Sequence, residues 1–220
     1  DDAIIARALG VDRRALVPLK HTGPKEDGGN NLGTHVFEVH GSGYVAKRSS
    51  KRGESIRLGT RTYELPSERK AFDKLAEAHP WADLREDPRI CAPLHIAEAV
   101  GWDLLIMRRA PGVKFGDLLQ SDTPEPEKKA VAEAVGRAIA ALSSGPRPLP
   151  PHGDCSTSNT YVSGTGSSIR VVFIDAAGMG ATLLGNGNVK SDIESMLQSL
   201  QLLSGTFLER YGATVKAGYS

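Results

Sequence analysis

The chain has 220 residues, of which 40% are hydrophobic and 24% are charged, and its formal net charge is +1. This is the composition of an ordinary soluble protein, long enough to bury a core, and the charge predicts no strong attraction to nucleic acid or anionic membranes. No apolar run approaches the roughly 20 residues that a membrane span requires. Cys91 and Cys155 do not make a disulfide framework, so we expect a reducing compartment.

The first hundred residues predict mostly strands, after a short amphipathic helix within residues 1–15. The strands that the pattern indicates are 17–20, 34–39, 44–47, 95–99 and 103–107. Residues 21–33 form a loop by composition, with four glycines, and residues 48–62 form a polar, basic segment. A helix follows, with Leu65 and Phe72 on one face, and it ends at Pro80.

The rest of the chain is mainly helical in pattern. A connector at 108–112 precedes a brief helix at 115–119 and a longer one at 124–143, for which Thr123 is the predicted N-cap. The last helix begins with a capping box, and its apolar face runs to Phe207. A mostly β portion followed by a mostly helical portion indicates an α+β fold.

The motif that carries chemistry is the loop 152–159, which begins His-Gly-Asp. Asp154 is followed by Asn159 after five positions, and Asp175 comes sixteen positions later, directly after the apolar run 171–174. Each residue alone would be read as an ordinary turn or loop residue. Two acids and an amide brought together by a hairpin, however, are able to hold Mg²⁺ on a triphosphate and to orient a hydroxyl beside it.

The spacing of this motif resembles the protein-kinase-like superfamily, which includes aminoglycoside and fructosamine kinases as well as protein kinases. The resemblance implies one bilobal kinase-like domain over residues 1–220, with ATP and Mg²⁺ as cofactors. Its small β-rich N-lobe spans about 1–107, its connector 108–112, and its reduced helical C-lobe 113–220. The His-Gly-Asp form matches small-molecule kinases more closely than the His-Arg-Asp of most eukaryotic protein kinases.

In the C-terminal portion, the resemblance assigns a role to each matching residue. Asp154 would take the proton of the substrate hydroxyl, while Asn159 and Asp175 would bind the metal. Asp192 would accept hydrogen bonds from the backbone of the catalytic loop and so support it. Residues 176–178 read Ala-Ala-Gly in place of the family's Phe-Gly, which argues against a switch based on the packing of that Phe.

In the N-terminal portion, Lys47 would contact the α- and β-phosphates, and Glu68 would pair with Lys47. Glu64 is a competing partner, one turn earlier on a similar face of the predicted helix. The resemblance also assigns a nucleotide contact to Met107, at the end of a predicted strand. The glycines that would approach the phosphates are Gly28, Gly29 and Gly33. Their loop lacks the usual Gly-x-Gly-x-x-Gly, and a plain hairpin loop explains it equally well.

Three departures from the family pattern bear on the phosphoryl acceptor. Asp175 and Asp192 are only seventeen residues apart, so a typical activation segment does not fit between them. We expect that the enzyme either needs no phosphorylation of this segment or is regulated at another place. Only twenty-eight residues follow Asp192, little for the additional helices of aminoglycoside kinases. Ser156 matches neither the Lys of protein kinases nor the His of many small-molecule kinases at that position.

The compact C-terminal portion is similar to the minimal effector kinases that bacterial pathogens and symbionts secrete, some of which phosphorylate host proteins, including the heat-shock protein 90 chaperone. This similarity implies a Ser/Thr protein kinase of the bacterial cytoplasm or of a host cytosol, with a protein as its substrate. The alternative is a small-molecule kinase of the aminoglycoside or fructosamine kinase type. A pseudokinase is a third reading, which the joint presence of Lys47, Asp154, Asn159 and Asp175 argues against.

Overall fold

The computed structural model describes residues 1–23, 31–58, 61–144, 147–185 and 191–220, without the side chains of residues 31, 54–58 and 61–64. These residues form two compact units. The first unit consists of Asp1–Glu86 and Cys91–Arg109, and the second of Asp87–Ile90 and Ala110–Ser220. The short segment Asp87–Ile90 therefore belongs to the second unit, although the residues on both sides of it belong to the first.

The first unit is built on a five-stranded antiparallel sheet. Its elements in chain order are α1 (Asp2–Leu9), β1 (Val17–Thr22), β2 (Asn31–Val39), β3 (Ser42–Ser50), β4 (Glu54–Leu58), β5 (Arg61–Leu65), α2 (Glu68–Ala78), α3 (Trp81–Glu86), β6 (Pro93–Glu98) and β7 (Trp102–Arg108). The strand order in the sheet is β1-β2-β3-β7-β6, while β4 and β5 form a separate hairpin. The third strand, β3, therefore lies at the centre of the sheet.

One face of this sheet packs against α1. The buried side chains of this cluster are Ile5, Phe37, Val39, Ala46, Leu104 and Ile106. Successive side chains of a strand point to opposite faces. Lys47 and Leu105, which pair across β3 and β7, therefore lie on the face away from α1. The alternation of the central strands thus gives Lys47 a place on the face opposite the α1 cluster.

The strand predictions are confirmed for β1, β2, β3, β6 and β7. The polar segment 48–62, for which the sequence predicts no strand, contains strand residues. The strand β3 extends to Ser50, and β4 and β5 form a hairpin within this segment. The sequence places Leu65 on the helix, whereas Leu65 is the last residue of β5. The helix begins only at Glu68, because Ser67 is its N-cap and its side chain accepts the Lys70 N–H.

The second unit is mainly helical. Its elements are β8 (Val113–Lys114), α4 (Phe115–Gln120), α5 (Glu125–Ser143), β9 (Thr160–Ser163), β10 (Arg170–Phe173), α6 (Ala177–Leu183), α7 (Asp192–Leu203) and α8 (Gly205–Tyr219). The three strands form an antiparallel sheet in the order β10-β9-β8. A mostly β unit and a mostly helical unit agree with the predicted α+β class.

Helices α5 and α8 approach each other backbone to backbone. A Cβ added at Gly136 would lie 2.0 Å from the Val215 carbonyl oxygen, and one added at Gly218 would lie 2.0 Å from that of Glu133. Larger side chains at these two glycines would force the helices apart. The fully buried Tyr211 of α8 also donates its hydroxyl proton to a Glu125 carboxylate oxygen at 2.9 Å. The helix α8 is therefore part of the core of the second unit.

Arg89 fixes the segment Asp87–Ile90 within the second unit. Its guanidinium donates to both oxygens of Asp87, to the Ala141 carbonyl at 2.6 Å and to the Arg147 carbonyl at 2.8 Å. Ala141 lies in the last turn of α5, where carbonyls have no partner within the helix. The Phe173 N–H donates to the Arg89 carbonyl at 2.8 Å. Arg89 therefore connects the end of α5 with the end of β10.

Three predictions for the helical portion require correction. The last helix does not run to Phe207: it breaks at Ser204, which has extended backbone angles, and α8 begins after it. The N-cap of α5 is Pro124 rather than Thr123. The helix α6 is absent from the prediction. The capping box at the start of α7 is confirmed, because the Ser191 side chain accepts the Glu194 N–H and the Glu194 side chain accepts the Ser191 N–H.

Both cysteines are buried free thiols. Burial raises the pKa of the Cys91 thiol to about 11. Burial, together with the charges of Asp192 and Asp154, raises the pKa of the Cys155 thiol well above its ordinary value. Since the thiolate is the reactive form, neither cysteine is poised as a nucleophile. Among the helices of the described ranges, none has both the length and the apolar character required for crossing a bilayer.

Candidate active site

Asp192 holds the start of the loop 152–159 by accepting two backbone hydrogen bonds. This residue is the first of α7, it is buried, and its two carboxylate oxygens accept the backbone N–H groups of His152 at 2.7 Å and Gly153 at 3.0 Å. Hydrogen bonds to a charged acceptor are among the stronger ones in proteins. Asp192 thus fixes the backbone at the start of the loop. These are the hydrogen bonds that the family resemblance assigns to Asp192.

The His152 side chain connects the start of the loop to the end of β10. It is fully buried and its ring contacts Phe173, with centroids 5.8 Å apart. Its Nδ1 accepts the Asp154 N–H at 3.4 Å, so Nε2 carries the proton and donates to the Ile174 carbonyl at 2.9 Å. The imidazole therefore links the residues that precede Asp154 with those that precede Asp175.

Asp154 and Asn159 are in direct contact. The Asn159 amide Nδ2 donates to the Asp154 carboxylate at 2.8 Å and to the Asp154 carbonyl at 3.1 Å. Asp154 is exposed, so its carboxylate is accessible while this amide restricts its orientation. The Asn159 carbonyl in turn accepts the Ile174 N–H at 2.9 Å. Both backbone groups of Ile174 are therefore bonded to the loop, and Asp175 follows immediately.

Asp175 has a backbone conformation that few residues other than glycine adopt. Its φ is +63°, and His40 is the only other non-glycine residue in the described ranges with a positive φ. Such conformations cost of order 1–3 kcal/mol and occur preferentially at functional sites. Asp175 is held in this conformation between Ile174, which is bonded on both sides, and α6, which begins at Ala177. The strained position supports a functional rather than a purely structural reading of Asp175.

Gly153 and Gly178 allow α6 to lie directly against the loop. A Cβ added at Gly178 would lie 2.2 Å from the His152 carbonyl oxygen. Gly153 has φ +80°, and a Cβ there would lie 3.1 Å from the Thr182 hydroxyl oxygen. Sequence reasoning did not identify Gly178 as important. The available signal was the run of small residues after Asp175, which is typical of close backbone approach.

In the first unit, Lys47 and Glu68 form a buried ion pair. The Lys47 Nζ lies 2.9 Å from a Glu68 carboxylate oxygen, and the two side chains are only 13% and 9% exposed. Glu68 shares the buried face of α2 with Phe72. Of the two partners that the sequence leaves open, the structure pairs Glu68 with Lys47. Glu64 does not lie on the helix at all, because it belongs to strand β5.

The remaining predicted nucleotide contacts are less informative. Gly33 lies in β2, at a bulge and with φ +136°, and not in a loop. Gly28 and Gly29 lie outside the described residues. Met107 lies in β7, between Val45 of β3 and Pro93 of β6. Ser156 contacts Ser158 through their hydroxyls at 3.0 Å. The contacts of Gly28, Gly29, Gly33 and Met107 with a nucleotide stay predictions, and Ser156 has no assigned role.

The donors assigned to Mg²⁺ are hard oxygen atoms, as that ion prefers. The Asn159 Nδ2 is directed at Asp154, so the amide oxygen is the Asn159 atom left for a cation. The Asp175 carboxylate would be the second protein ligand. Magnesium usually takes only one or two carboxylates and completes its shell with phosphate oxygens and water. Within the described ranges, no group of three or more His, Cys, Asp or Glu side chains is arranged to hold a metal ion. Oxygen donors of these types would suit a metal ion whose remaining ligands are phosphate oxygens and water.

Comparison with known proteins identifies the fold. No family model matches the chain. No curated protein matches its sequence. Two similar solved structures are double mutants of the kinase domain of Mycobacterium tuberculosis PknI. One is 13% identical, with 94% of this chain and 87% of that chain covered and a TM-score of 0.50. The other is 15% identical, with 87% and 73% covered and a TM-score of 0.48.

The chain has a protein-kinase-like fold. The alignment with a TM-score of 0.50 covers 94% of this chain. The predicted fold class, a β-rich N-terminal portion and a helical C-terminal portion of kinase type, is therefore confirmed. At 13% identity the likeness concerns the fold alone. The roles of Asp154, Asn159, Asp175 and Lys47 must be argued from their own surroundings.

Proposed function

We propose that the chain is an ATP-dependent phosphotransferase that acts on hydroxyl groups. The observation that carries the proposal is the hydrogen-bonded arrangement of the loop 152–159. This loop presents the exposed carboxylate of Asp154, oriented by Asn159, and it is bonded to Ile174 immediately before Asp175. The fold that the chain shares with the kinase domain of PknI supports the same reaction class.

Each residue has a definite task in such a reaction. Asp154 would accept the hydrogen bond of the attacking hydroxyl and then its proton. Asp175 and Asn159 would hold Mg²⁺, which neutralises negative charge on the phosphates when bound. Lys47 would contact the α- and β-phosphates with its ammonium group. Glu68, at 2.9 Å from that ammonium, would hold it in position.

We infer a protein Ser or Thr as the acceptor. The chain between Asp175 and Asp192 contains α6, and its Gly178 lies against the loop backbone. This compact segment favours an enzyme whose catalytic loop is supported without phosphorylation, as in the minimal effector kinases that the sequence resembles. A host protein, such as a chaperone, is the acceptor class that this resemblance implies.

A small-molecule acceptor is the alternative, and the His-Gly-Asp form of the loop favours it. That form has a local explanation, however. Gly153 has φ +80°, which favours glycine, and a Cβ there would lie 3.2 Å from the Gly178 carbonyl oxygen. A glycine is therefore suited to this position whatever the acceptor is, and the His-Gly-Asp form does not decide between the two.

The first experiment is transfer of label from γ-labelled ATP in the presence of Mg²⁺. The chain is incubated alone, with bacterial extract, with eukaryotic extract, and with a library of amines, sugars and alcohols. Label on the chain itself or on extract proteins supports a protein kinase. Label confined to the small-molecule library supports the alternative. Absence of transfer, with Mg²⁺-ATP still raising the melting temperature, would indicate a pseudokinase.

Substitutions at the two acids separate the roles of base and metal ligand. Both Asp154→Ala and Asp175→Ala should lower transfer by at least about 100-fold, since a positioned base contributes 10²–10⁴-fold. Mg²⁺-dependent nucleotide binding should weaken in Asp175→Ala and largely persist in Asp154→Ala. Asp122→Ala, at an exposed acid of the same unit, is the control and should change neither. Normal turnover of Asp175→Ala would show that the metal assignment is wrong.

A further inference from the structure

We propose that Arg69 is a positioning residue that holds the first turn of α2 against the sheet and thereby keeps Glu68 on Lys47. The effect on catalysis rests on the proposed function, whereas the effect on the ion pair does not. Arg69 directly follows Glu68 in α2. The two adjacent side chains contact different strands of the same sheet, and this pair of contacts is the basis of the inference.

Arg69 contacts acidic side chains of β6 and β7. Its guanidinium forms an ion pair with Glu98, the last residue of β6. It also lies 3.6 Å from a carboxylate oxygen of Asp103 in β7. A third acid, Asp73, follows one helical turn later at 3.6 Å. Burial alone would lower the pKa of Arg69, but the charges of Glu98 and Asp103 raise it above its ordinary value. The structure therefore favours the charged guanidinium at this place.

Of the two strand acids that Arg69 contacts, Asp103 is buried, whereas Glu98 is exposed. Asp103 is only 2% exposed, and its Oδ1 has no hydrogen-bond partner among the described residues. Besides Arg69, Lys51 is a second cation near this oxygen, with its Nζ 3.8 Å away. A buried carboxylate that loses its cation is strongly destabilising, whereas exposed ion pairs contribute little. Removing Arg69 should therefore cost more free energy at Asp103 than at Glu98.

The geometry connects this contact with Glu68. Consecutive residues of an α-helix point about 100° apart, since the helix has 3.6 residues per turn. Glu68 reaches β3 through Lys47, and Arg69 reaches the ends of β6 and β7. Contacts in two directions oppose rotation of the first turn about the helix axis. With Arg69 removed, this turn would depend on the Ser67 cap and on the buried apolar face alone.

The test measures the exposure of the Lys47 amine without any nucleotide. The folded chain is treated with a limiting amount of acetic anhydride, and the acetylation rate at Lys47 is read by mass spectrometry. Glu68→Gln sets the rate for Lys47 without the carboxylate of Glu68. We expect Arg69→Ala to raise the rate several-fold toward that of Glu68→Gln, and Arg69→Lys to lie between Arg69→Ala and the unmodified chain.

Two further variants make the test specific. Asp103→Asn keeps the size of the side chain, removes the charge that Arg69 binds, and should raise the Lys47 rate as Arg69→Ala does. Lys74→Ala is the matched control, because Lys74 is a cation of the same helix that pairs with the exposed Glu77 at 2.6 Å. It should leave the rate unchanged. An unchanged rate in Arg69→Ala, or an unchanged rate in Glu68→Gln, would overturn the proposal.

Transfer kinetics then test the consequence for catalysis. Arg69→Ala should lower kcat/KM for ATP by roughly tenfold, mainly through KM, and Arg69→Lys should restore part of it. Lys74→Ala should have no effect. If the unmodified chain transfers no phosphate, the proposed function fails, but the acetylation series still decides the role of Arg69. If transfer is normal in Arg69→Ala despite faster Lys47 acetylation, Arg69 has no positioning role in catalysis.

Discussion

Replacing Asp192 with Asn would keep the size of the side chain while removing its charge and one of its two acceptor oxygens. The Asn oxygen is able to accept only one of the two N–H groups that Asp192 now binds, those of His152 and Gly153. The Asn NH₂ group would face the other N–H, donor against donor. Because Asp192 is buried, water does not readily replace the lost acceptor.

The cost follows from the two hydrogen bonds. One charged bond, of about 1.5–3 kcal/mol, is lost, and the other becomes a neutral bond of about 0.5–1.5 kcal/mol. With a buried donor unpaired, we expect a net loss of about 3 kcal/mol in the free energy of unfolding. The charge of Asp192 at the start of α7 contributes about 1 kcal/mol, and at most about 2 kcal/mol in a buried position, through the helix dipole. The loop contacts therefore account for most of the expected loss.

Thermal unfolding followed by circular dichroism at the helix band measures this loss. For a chain of this size, 1 kcal/mol corresponds to about 2–4 °C in Tm, so Asp192→Asn should lower Tm by about 6–12 °C. Asp122→Asn, at an exposed acid, is the control. Both tryptophans, Trp81 and Trp102, belong to the first unit, so their fluorescence reports on that unit separately. A Tm of Asp192→Asn within about 1 °C of the unmodified chain would refute the reasoning.

Two further predictions concern the second unit. Gly178→Ala should lower the free energy of unfolding, measured in urea, by about 1–3 kcal/mol, because its Cβ would lie 2.2 Å from the His152 carbonyl oxygen. The control is Gly205→Ala, whose Cβ would have nothing within 4 Å. Equal urea midpoints for the two variants would contradict the close approach. Burial alone would raise the pKa of Asp87, but the hydrogen bonds and charge of Arg89 lower it below its ordinary value. The resulting stabilisation is present above about pH 4 and is lost as the pH falls through the lowered pKa. The urea midpoint of Asp87→Asn should therefore fall less steeply below pH 4 than that of the unmodified chain. Equal slopes of midpoint against pH would contradict the stabilising role of the Asp87–Arg89 ion pair.

Local patterns predicted those elements whose stabilising interactions lie within a few residues. The hairpin of β2 and β3 follows from alternating side chains and a glycine turn, and the start of α7 follows from its capping box. The break at Ser204 could not be predicted in this way. Apolar side chains recur across Ser204 with helical spacing, and the separate course of α8 depends on its glycine contacts with α5.

The helix α6 is a second element that local sequence patterns could not predict. Its sequence is rich in Ala and Gly, and the two glycines within it, Gly178 and Gly180, have poor helix propensity. Nothing in that segment alone indicates a helix of this length. Its position depends on the close approach of Gly178 to His152, twenty-six residues earlier in the chain.

For the candidate site, the sequence by itself determined the residue types and their order along the chain. The spacing from Asp154 to Asn159 and Asp175 resembles that of the protein-kinase-like superfamily, and this resemblance implied the kinase-like fold that the comparison confirms. Only the tertiary structure decided that Glu68 and not Glu64 pairs with Lys47. The reason is physical: caps and periodicity are interactions between near neighbours, whereas this ion pair joins residues twenty-one positions apart. Which side chains meet over such separations depends on the path of the chain between them.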